Sequence, residues 1–180
     1  INAENTGLKV RLLLTKRDLI NSLKLEKYLL RFRGWGYKPL AISVRDSQGI
    51  DDFLQQLSGV QLAVLCGPSG VGKTSLLNYL LPQSSLKIGS LSGRLQRGRH
   101  TTRHVELFSV GDGSLLADTP GFNRPDFLVD PNKLPFLFPE IRKQLDYLPC
   151  KFRDCLHLNE PGCVIDKNWE RYPFYKQYLN

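Results

Sequence analysis

Residues 67–74 have the types and spacing that bind the phosphate groups of a nucleotide. Their sequence, GPSGVGKT, fits the pattern G-x-x-x-x-G-K-[ST], in which glycines let backbone N–H groups converge on phosphate oxygens. In this pattern the lysine, Lys73, reaches the β- and γ-phosphates, and the hydroxyl of Thr74 binds Mg²⁺. A strand-like apolar run at 62–66 precedes the segment, and a helix-like run at 75–81 follows it. The expected nucleotide contacts are Gly67, Ser69, Gly70, Val71, Gly72, Lys73, Thr74 and Ser75.

A second group of reactive residues lies in 150–163, where three cysteines and one histidine are closely spaced. Three thiolates and one imidazole can complete the tetrahedral coordination of a structural Zn²⁺ ion. The spacing fits a metal site in a reducing compartment better than a disulfide framework. The segment 139–180 can build little core of its own, so metal binding would contribute to its folding free energy. We predict zinc ligands at Cys150, Cys155, His157 and Cys163, and a buried core thiol at Cys66.

The pattern T-K-x-D at 15–18 follows an apolar run and can distinguish a guanine base. The carboxylate of Asp18 can accept hydrogen bonds from guanine N1–H and N2–H₂ together, whereas adenine offers no such pair of donors. The methylenes of Lys16 can cover the base. A second turn, after the short strand 39–43, is expected to support it. The predicted base contacts are Thr15, Lys16, Asp18, Ser43 and Val44.

The polar segment 89–103 is a candidate first switch. Long loops of this kind are usually functional. One of its paired hydroxyls, on Thr101 and Thr102, can bind Mg²⁺ when a γ-phosphate is present. The segment would then be ordered with GTP and released after hydrolysis. The alternative interpretation is a solvated basic loop.

A candidate second switch follows a predicted β-hairpin, whose strands are 105–110 and 114–118 around a Gly-Asp-Gly turn. The second strand ends in D-T-P-G. Asp118 would bind Mg²⁺ through water, and the N–H of Gly121 would meet the γ-phosphate. The expected Mg²⁺ ligands are therefore Thr74, Thr102 and Asp118.

The order of the motifs is unusual, because the guanine turn precedes the phosphate loop. In GTPases of ordinary connectivity the phosphate loop comes first, so we predict a circular permutation. Reconnecting a sheet whose termini lie close together leaves its site residues in place. The predicted fold is α/β, with a mostly parallel sheet flanked by helices in a permuted P-loop GTPase domain over 1–138. A small zinc-binding domain is expected over 139–180.

Composition and charge restrict the classes of function. With 180 residues, 41% of them hydrophobic, the chain can bury a core. No apolar stretch approaches the roughly 20 residues of a membrane helix. The formal net charge of +8 suggests an anionic partner besides the nucleotide, with nucleic acid the leading candidate. We expect a monomer in the bacterial cytoplasm, with a plastid or the mitochondrial matrix as the alternative location.

The chain resembles the ribosome small subunit-dependent GTPases of the RsgA type in the order of its motifs, which are T-K-x-D, S-V-R, GPSGVGKT, GRHTT, DTPGF, FPEIR and CKFRDCxHxxEPGC. The match covers nearly the whole chain. It implies GTP hydrolysis stimulated by the small ribosomal subunit, contact with its rRNA, and a role late in the maturation of that subunit. Family members also carry an N-terminal OB-fold domain that binds RNA, which we expect this chain to lack. Thr15, Val44 and Arg45 depart from the commoner residues.

Phosphoryl transfer to water requires positioning and charge neutralisation. Lys73 and the N–H groups of the phosphate loop would neutralise charge. Many GTPases place a Gln directly after D-x-x-G to orient water, but Phe122 occupies this place and cannot do so. We hypothesise that His100 orients the water once the ribosome orders the first switch, as the resemblance also suggests. The alternative is that His100 contacts only rRNA phosphate or solvent.

Two competing functions stay open at this point. A P-loop kinase or ATPase would show no preference for guanine over adenine. A nucleotide-gated rRNA-binding zinc module would bind GDP tightly with negligible hydrolysis. Competition by ATP tests the first, and hydrolysis in the presence of small ribosomal subunits tests the second.

Overall fold

The computed structural model describes residues 1–81, 89–91, 105–110, 113–118 and 129–179. The predicted switch residues His100, Thr101, Thr102 and Gly121, together with Phe122, lie outside the described residues. For Asp118 only the backbone is described. Among the described residues, no helix combines the length and the apolar composition that crossing a membrane requires.

The chain forms two compact units, each with its own core. The phosphate-loop unit comprises Leu13–Asn21 and Leu40–Pro125, and the cysteine unit comprises Ile1–Leu12, Ser22–Pro39 and Asp126–Asn180. This division follows packing, so the two N-terminal stretches group with the cysteine segment. The predicted division into a GTPase domain over 1–138 and a zinc-binding domain over 139–180 stays a prediction.

The described residues contain six β-strands and five α-helices. The strands are β1 (Leu13–Leu14), β2 (Leu40–Ala41), β3 (Leu62–Leu65), β4 (Gly89–Leu91), β5 (Val105–Val110) and β6 (Ser114–Asp118). The helices are α1 (Ser22–Gly34), α2 (Ile50–Leu57), α3 (Lys73–Leu80), α4 (Pro139–Tyr147) and α5 (Tyr172–Leu179). Short 3₁₀ turns occur at Glu4–Thr6, Arg17–Leu19 and Leu134–Leu137.

The strands of the phosphate-loop unit form two sheets. β1 pairs with β2 in parallel, and the larger sheet has the order β3-β6-β5-β4. Within it β3 is parallel to β6, whereas β5 is antiparallel to both β6 and β4. The β5–β6 pair is the hairpin predicted from the sequence, with the predicted bounds. The α/β class with parallel pieces of sheet is confirmed, and the described part of the larger sheet is mixed.

Two predicted strands are shorter in the structure than in the sequence pattern. The apolar run 10–14, which precedes the T-K-x-D pattern and has the length of a strand, contributes only the two residues of β1. The predicted strand 39–43 contributes only the two residues of β2. Apolar runs mark a buried segment but not how many of its residues have a strand partner. The spacing of apolar residues predicts a helix over about 22–32. Helix α1 begins at the predicted residue and extends two residues past the predicted end at Phe32.

The core of the phosphate-loop unit lies between the helices and the larger sheet. Helix α2 buries Ile50, Phe53 and Leu57, whose spacing places them on one face of a helix. Leu76 of α3 and Leu116 of β6 are almost completely buried in the same cluster. Burial of these side chains fixes α3, and with it the loop that leads into this helix.

Cys66 is exposed, so the prediction of a buried core thiol is wrong. Successive side chains of a strand point to opposite faces. Along β3, Leu62 and Val64 are exposed, whereas Ala63 and Leu65 pack against the core. Cys66, two positions after Val64, lies on the same exposed face of the strand. An apolar run alone did not reveal that one face of β3 is open in the described residues.

The core of the cysteine unit is largely aromatic. Phe138, which precedes α4, packs edge-on against Tyr175 of α5 at 5.3 Å between ring centroids. Tyr172 and Tyr175 are buried on one face of α5, and Leu134 and Ile141 complete the interior. Aromatic pairs in this geometry add to the stabilisation from buried area. Helices α4 and α5 are thereby held together.

A buried ion pair links α4 to the residue before α5. The guanidinium of Arg171 donates to both carboxylate oxygens of Glu140, with Nε–Oε1 2.8 Å and Nη2–Oε2 2.5 Å. Its carbon also lies 4.6 Å from the centroid of the Trp35 ring, which adds a cation–π contact. Both side chains are almost fully buried, at 14% and 6% exposed. The intact pair therefore adds little net stability, but removing one partner would leave a buried charge without compensation and destabilise the fold.

Replacing Arg171 by Met is expected to lower the free energy of unfolding by about 3–5 kcal/mol, because the carboxylate of Glu140 would stay buried without a partner. Urea denaturation measures this loss. The double variant R171M/E140L removes both charges and should recover most of the stability. Equal losses in the single and double variants would contradict this account of the pair.

Candidate nucleotide and metal sites

The phosphate loop connects β3 to α3, as the sequence predicts. Gly70 and Gly72 adopt φ values of +79° and +101°, which side chains with a Cβ rarely occupy. These turns allow α3 to begin at Lys73, and the N–H of Leu76 bonds to the carbonyl of Gly72 at 2.9 Å. The first N–H groups of a helix have no partner within the helix, so they can bind phosphate oxygens.

Lys73 is held against its own loop. Its Nζ donates to the carbonyl oxygens of Gly67 at 2.7 Å and Pro68 at 3.0 Å. Ser69, Thr74 and Ser75, the other predicted contacts with side-chain hydroxyls, are exposed in the loop and in the first turn of α3. The segment therefore presents one ammonium group and several hydroxyls that a ligand can reach.

Two hydrogen bonds join the predicted guanine turn to the phosphate loop. The hydroxyl of Thr15 donates to the carbonyl of Val71 at 2.6 Å, and Nζ of Lys16 donates to the carbonyl of Gly70 at 2.7 Å. These residues are separated by 56 and 54 positions in the sequence. The structure thus brings the two motifs into one site. Thr15, despite departing from the commoner Asn, connects the two loops.

The second predicted turn supports Asp18. Ser43 is fully buried, and its Oγ donates to Oδ1 of Asp18 at 2.8 Å while accepting the N–H of Asp46 at 3.2 Å. A carboxylate has about four acceptor positions, so Asp18 retains the capacity to accept two donors of a base. Val44, in contrast, packs against the core. Because β1 and β2 are parallel, the turns that follow them lie at the same sheet edge.

The predicted switch residues are only partly placed. The backbone of Asp118 pairs in register with Leu65, the last residue of β3. Since β3 and β6 are parallel, Asp118 ends its strand beside the start of the phosphate loop. The Mg²⁺ and phosphate roles of Asp118, Thr101, Thr102 and Gly121, and the role of His100, stay predictions.

Replacing Thr15 by Val is expected to weaken GDP binding by about tenfold, because the carbonyl of Val71 would lose its hydrogen bond while the volume is retained. The dissociation rate of a fluorescent GDP analogue measures this change. Thr15→Ser keeps the hydroxyl and serves as the matched control, with binding close to that of the parent chain. An unchanged rate in Thr15→Val would show that this bond does not position the phosphate loop.

The four predicted zinc ligands come together in the cysteine unit. Their ligand atoms all lie within 4.8 Å of one another. Nδ1 of His157 is 3.5 Å from Sγ of Cys150 and 3.6 Å from Sγ of Cys163. A tetrahedral ion with metal–sulfur and metal–nitrogen distances of about 2.3 and 2.05 Å separates such ligands by about 3.55 Å. The residues therefore fit a closed site for Zn²⁺.

Burial governs the titration of these ligands in the absence of a metal charge. It raises the pKa of the Cys155 thiol to about 12 and lowers the pKa of His157. The thiol form of the cysteine and the neutral form of the imidazole are thus favoured. A bound cation would reverse the preference of the thiol, because thiolates are the metal ligands.

Hydrogen bonds hold the loop that carries the ligands, and the sequence pattern did not identify their donors and acceptors. The carboxylate of Glu160 accepts the N–H groups of Leu156 at 3.0 Å and Leu158 at 2.7 Å. Burial opposes ionisation of Glu160, but hydrogen bonds from its own backbone N–H, from these two N–H groups and from Cys155 outweigh it, so the pKa of the carboxyl is lowered. From α5, the hydroxyl of Tyr172 donates to the carbonyl of His157 at 3.0 Å. The E-P-G sequence after the histidine was the one local signal of this support.

Comparisons with known proteins agree with the arrangement of the sites. The chain matches the family model described as RsgA GTPase over residues 1–128. It is 63% identical over 179 residues to the "Small ribosomal subunit biogenesis GTPase RsgA" of Prochlorococcus marinus strain MIT 9303, covering 99% of the chain and 56% of that protein. The protein of the same name from Synechococcus sp. strain CC9605 is 60% identical, with 99% of the chain and 59% of that protein covered.

A solved structure supports the permuted order of the motifs. The crystal structure of YloQ, described as a circularly permuted GTPase, matches with a TM-score of 0.67 and 32% identity over 94% of this chain and 55% of that chain. The predicted circular permutation is therefore confirmed. The chain spans about half the length of the curated relatives it matches. By its motifs, its fold and these matches, the chain belongs to the RsgA GTPase family.

Proposed function

We propose that the chain binds GTP and GDP, hydrolyses GTP, and acts with the small ribosomal subunit late in the maturation of that subunit. The observation that carries this proposal is the joined site, in which Thr15 and Lys16 bond to the carbonyls of Val71 and Gly70. A guanine-selective turn fixed to a phosphate loop is the geometry that a guanine nucleotide needs. The names of the relatives, small ribosomal subunit biogenesis GTPases, support the choice of partner.

Each residue of the site has a role in this proposal. Asp18, held by Ser43, selects guanine, and Lys16 covers the base. Lys73 and the N–H groups of the phosphate loop neutralise the phosphates as negative charge shifts toward the leaving group. Mg²⁺, when bound, would neutralise further phosphate charge. Its expected ligands are the oxygens of Thr74, Thr102 and Asp118, which are the hard donors that this ion prefers.

Water orientation is the step for which the second switch supplies no residue, because Phe122 follows D-x-x-G. We assign this step to His100, acting when the small subunit orders the first switch. Slow hydrolysis without the subunit follows from this assignment. An imidazole has the hydrogen-bonding capacity to orient a water molecule.

Replacing His100 by Ala is expected to lower subunit-stimulated kcat by about 100-fold or more, because the attacking water would lose its orienting group. Phosphate release under saturating small subunits measures this loss, and cosedimentation checks that the variant still binds them. His104→Ala, four residues along the same sequence, is the control and should retain stimulation. Retained stimulation in His100→Ala would assign the residue to rRNA or solvent instead.

We propose that the cysteine cluster holds structural zinc. All four coordination positions are filled by side chains, so no position remains for a substrate. The chain would bind rRNA through its basic surface, as its net charge of +8 suggests, and the affinity should fall steeply with salt. We expect the protein to act in the bacterial cytoplasm, where it would meet a ribosomal partner, and to be a monomer.

The experiment that tests the proposed function is hydrolysis of GTP with and without purified small ribosomal subunits, with ATP as the control nucleotide. It should use both the 180-residue chain and the longest natural protein that contains it. Stimulation that is specific to GTP supports the proposal. Tight GDP binding without stimulation would favour a nucleotide-gated rRNA-binding module, and equal use of ATP would favour a P-loop ATPase.

A further inference from the structure

We propose that a cavity in the cysteine unit binds one unstacked base of single-stranded RNA. The cavity has a volume of about 590 Å³ and lies between the end of α1 and helix α4. This volume is within the range of about 300–1,000 Å³ found for small-molecule sites. The lining residues that matter to the argument are Arg33, Gly36, Lys143, Tyr147 and Trp169. The nucleotide site and the metal ligands share none of them.

The cavity presents an aromatic ring that the fold does not use. Tyr147, the last residue of α4, is 91% exposed and makes no aromatic contact with another described residue. Bases of single-stranded nucleic acid stack on exposed aromatic rings, whatever their sequence. Leu148 and Val164 add apolar surface beside the ring. This combination suits the faces of a flat heterocycle.

The positive charge of the lining residues favours RNA, whose phosphates are anionic, over an occupant that has no phosphate groups. Arg33 and Lys143 line the same cavity. Arg33 pairs with Glu26 at 3.1 Å in an ion pair that is about half exposed, whereas Lys143 makes no ion pair within the described part of the chain. The carboxylate of Glu140 also lines the cavity but is neutralised by Arg171. Lys143, together with Arg33 once a phosphate replaces Glu26 as its partner, can hold the phosphates on either side of a stacked base.

The shape of the cavity depends on a glycine and includes an unsatisfied donor. A Cβ at Gly36 would lie 2.8 Å from Cβ of Pro139, so only glycine allows the loop after α1 to approach α4 this closely. Trp169 is one of the lining residues, and its indole N–H is buried and has no acceptor among the described residues. Buried donors nearly always have a partner. The carbonyl and imine groups of a base are acceptors, and one of them would reach this donor only if Trp169 shifts, because the nitrogen is buried.

This inference rests on the proposed function, since that function supplies an RNA partner. It adds that the cysteine unit reads an unpaired position of the RNA rather than a duplex. Binding at this cavity needs neither guanine nucleotide nor hydrolysis, so it can be measured separately.

The test is fluorescence anisotropy of a labelled, unstructured RNA hexamer with the metal-loaded chain at fixed low salt. Tyr147→Ala should weaken binding about tenfold, and Tyr147→Phe should bind like the parent because stacking does not need the hydroxyl. Lys143→Ala should weaken binding and reduce the dependence of affinity on salt. Tyr178→Ala and Lys133→Ala, which change exposed residues away from the cavity, are the matched controls.

A spectroscopic measurement distinguishes stacking of a base in the cavity from electrostatic attraction of RNA to the protein surface as a whole. The chain has two tryptophans, so Trp35→Phe leaves Trp169 as the sole emitter. With excitation selective for tryptophan over tyrosine, RNA should quench the fluorescence of Trp169, and Tyr147→Ala should abolish this quenching at low RNA concentration. Equal losses in Tyr147→Ala and Tyr178→Ala, or RNA binding without quenching, would overturn the proposal.

Two further outcomes are decisive. If an acidic peptide binds with the same dependence on Tyr147 while the hexamer does not, the cavity serves a protein partner and the RNA proposal fails. If the hexamer binds through Tyr147 but small subunits do not stimulate GTP hydrolysis, the proposed function fails while the base site stands.

Discussion

Removing the proposed zinc ion from the cysteine cluster is expected to unfold the cysteine unit. Structural Zn²⁺ contributes an apparent 10–16 kcal/mol, roughly the whole stability of about 5–15 kcal/mol of a typical domain. The loop that carries His157 is bonded to Tyr172 and Tyr175 of α5, so losing the loop geometry also removes hydrogen bonds from that helix. The aromatic core around Phe138 would then lose its packing against α5.

Cys155→Ser tests this expectation, because Cys155 is buried and is one of the four ligands. The variant should lose stoichiometric zinc and the near-ultraviolet circular dichroism of the packed aromatic rings. Cys66→Ser is the matched control, since Cys66 is exposed and lies outside the cluster, and it should retain both. Zinc-free Cys155→Ser with an unchanged near-ultraviolet spectrum would show that the aromatic core is sufficient for folding.

The sequence was sufficient to locate motifs whose chemistry is local. The residues at 67–74 and 150–163 are close in the chain, so their types and spacing alone predict a phosphate loop and a tetrahedral ligand set. The hairpin of β5 and β6 was predictable for the same reason, because a short turn joins two adjacent strands. In these cases the residue types and their spacing in the sequence are enough to predict the local geometry.

Contacts between distant segments could not be predicted in the same way. The bond from Thr15 to Val71 spans 56 positions, and nothing in either local pattern specifies it. The two tyrosines of α5 look like ordinary core residues in the sequence, yet their hydroxyls hold the metal-binding loop. Cys66 was misassigned because burial of a strand face depends on what covers it. Long-range packing decides each of these points.

Replacing Asp18 by Asn is expected to lower the affinity for GDP at least 100-fold and to create binding of xanthosine diphosphate. The carboxylate presents two acceptors to the two donors of guanine, N1–H and N2–H₂. An amide presents one acceptor and one donor, so its NH₂ group would face the NH₂ group of guanine. Sites built to bond a polar group reject mismatched ligands by up to about 10⁴–10⁵.

Xanthine provides the rescue that distinguishes base reading from a structural defect. Its N1–H can donate to the amide oxygen of Asn, and its oxygen at C2 can accept from the amide NH₂. The amide oxygen also remains available to the hydroxyl of Ser43, so the turn should keep its shape. Asp46→Asn is the matched control, because the backbone N–H of Asp46 bonds to Ser43 and its side chain is exposed. Competition against a fluorescent GDP analogue measures all three proteins. Loss of GDP binding without gain of the xanthine nucleotide would mean that Asp18 maintains the turn and does not read the base.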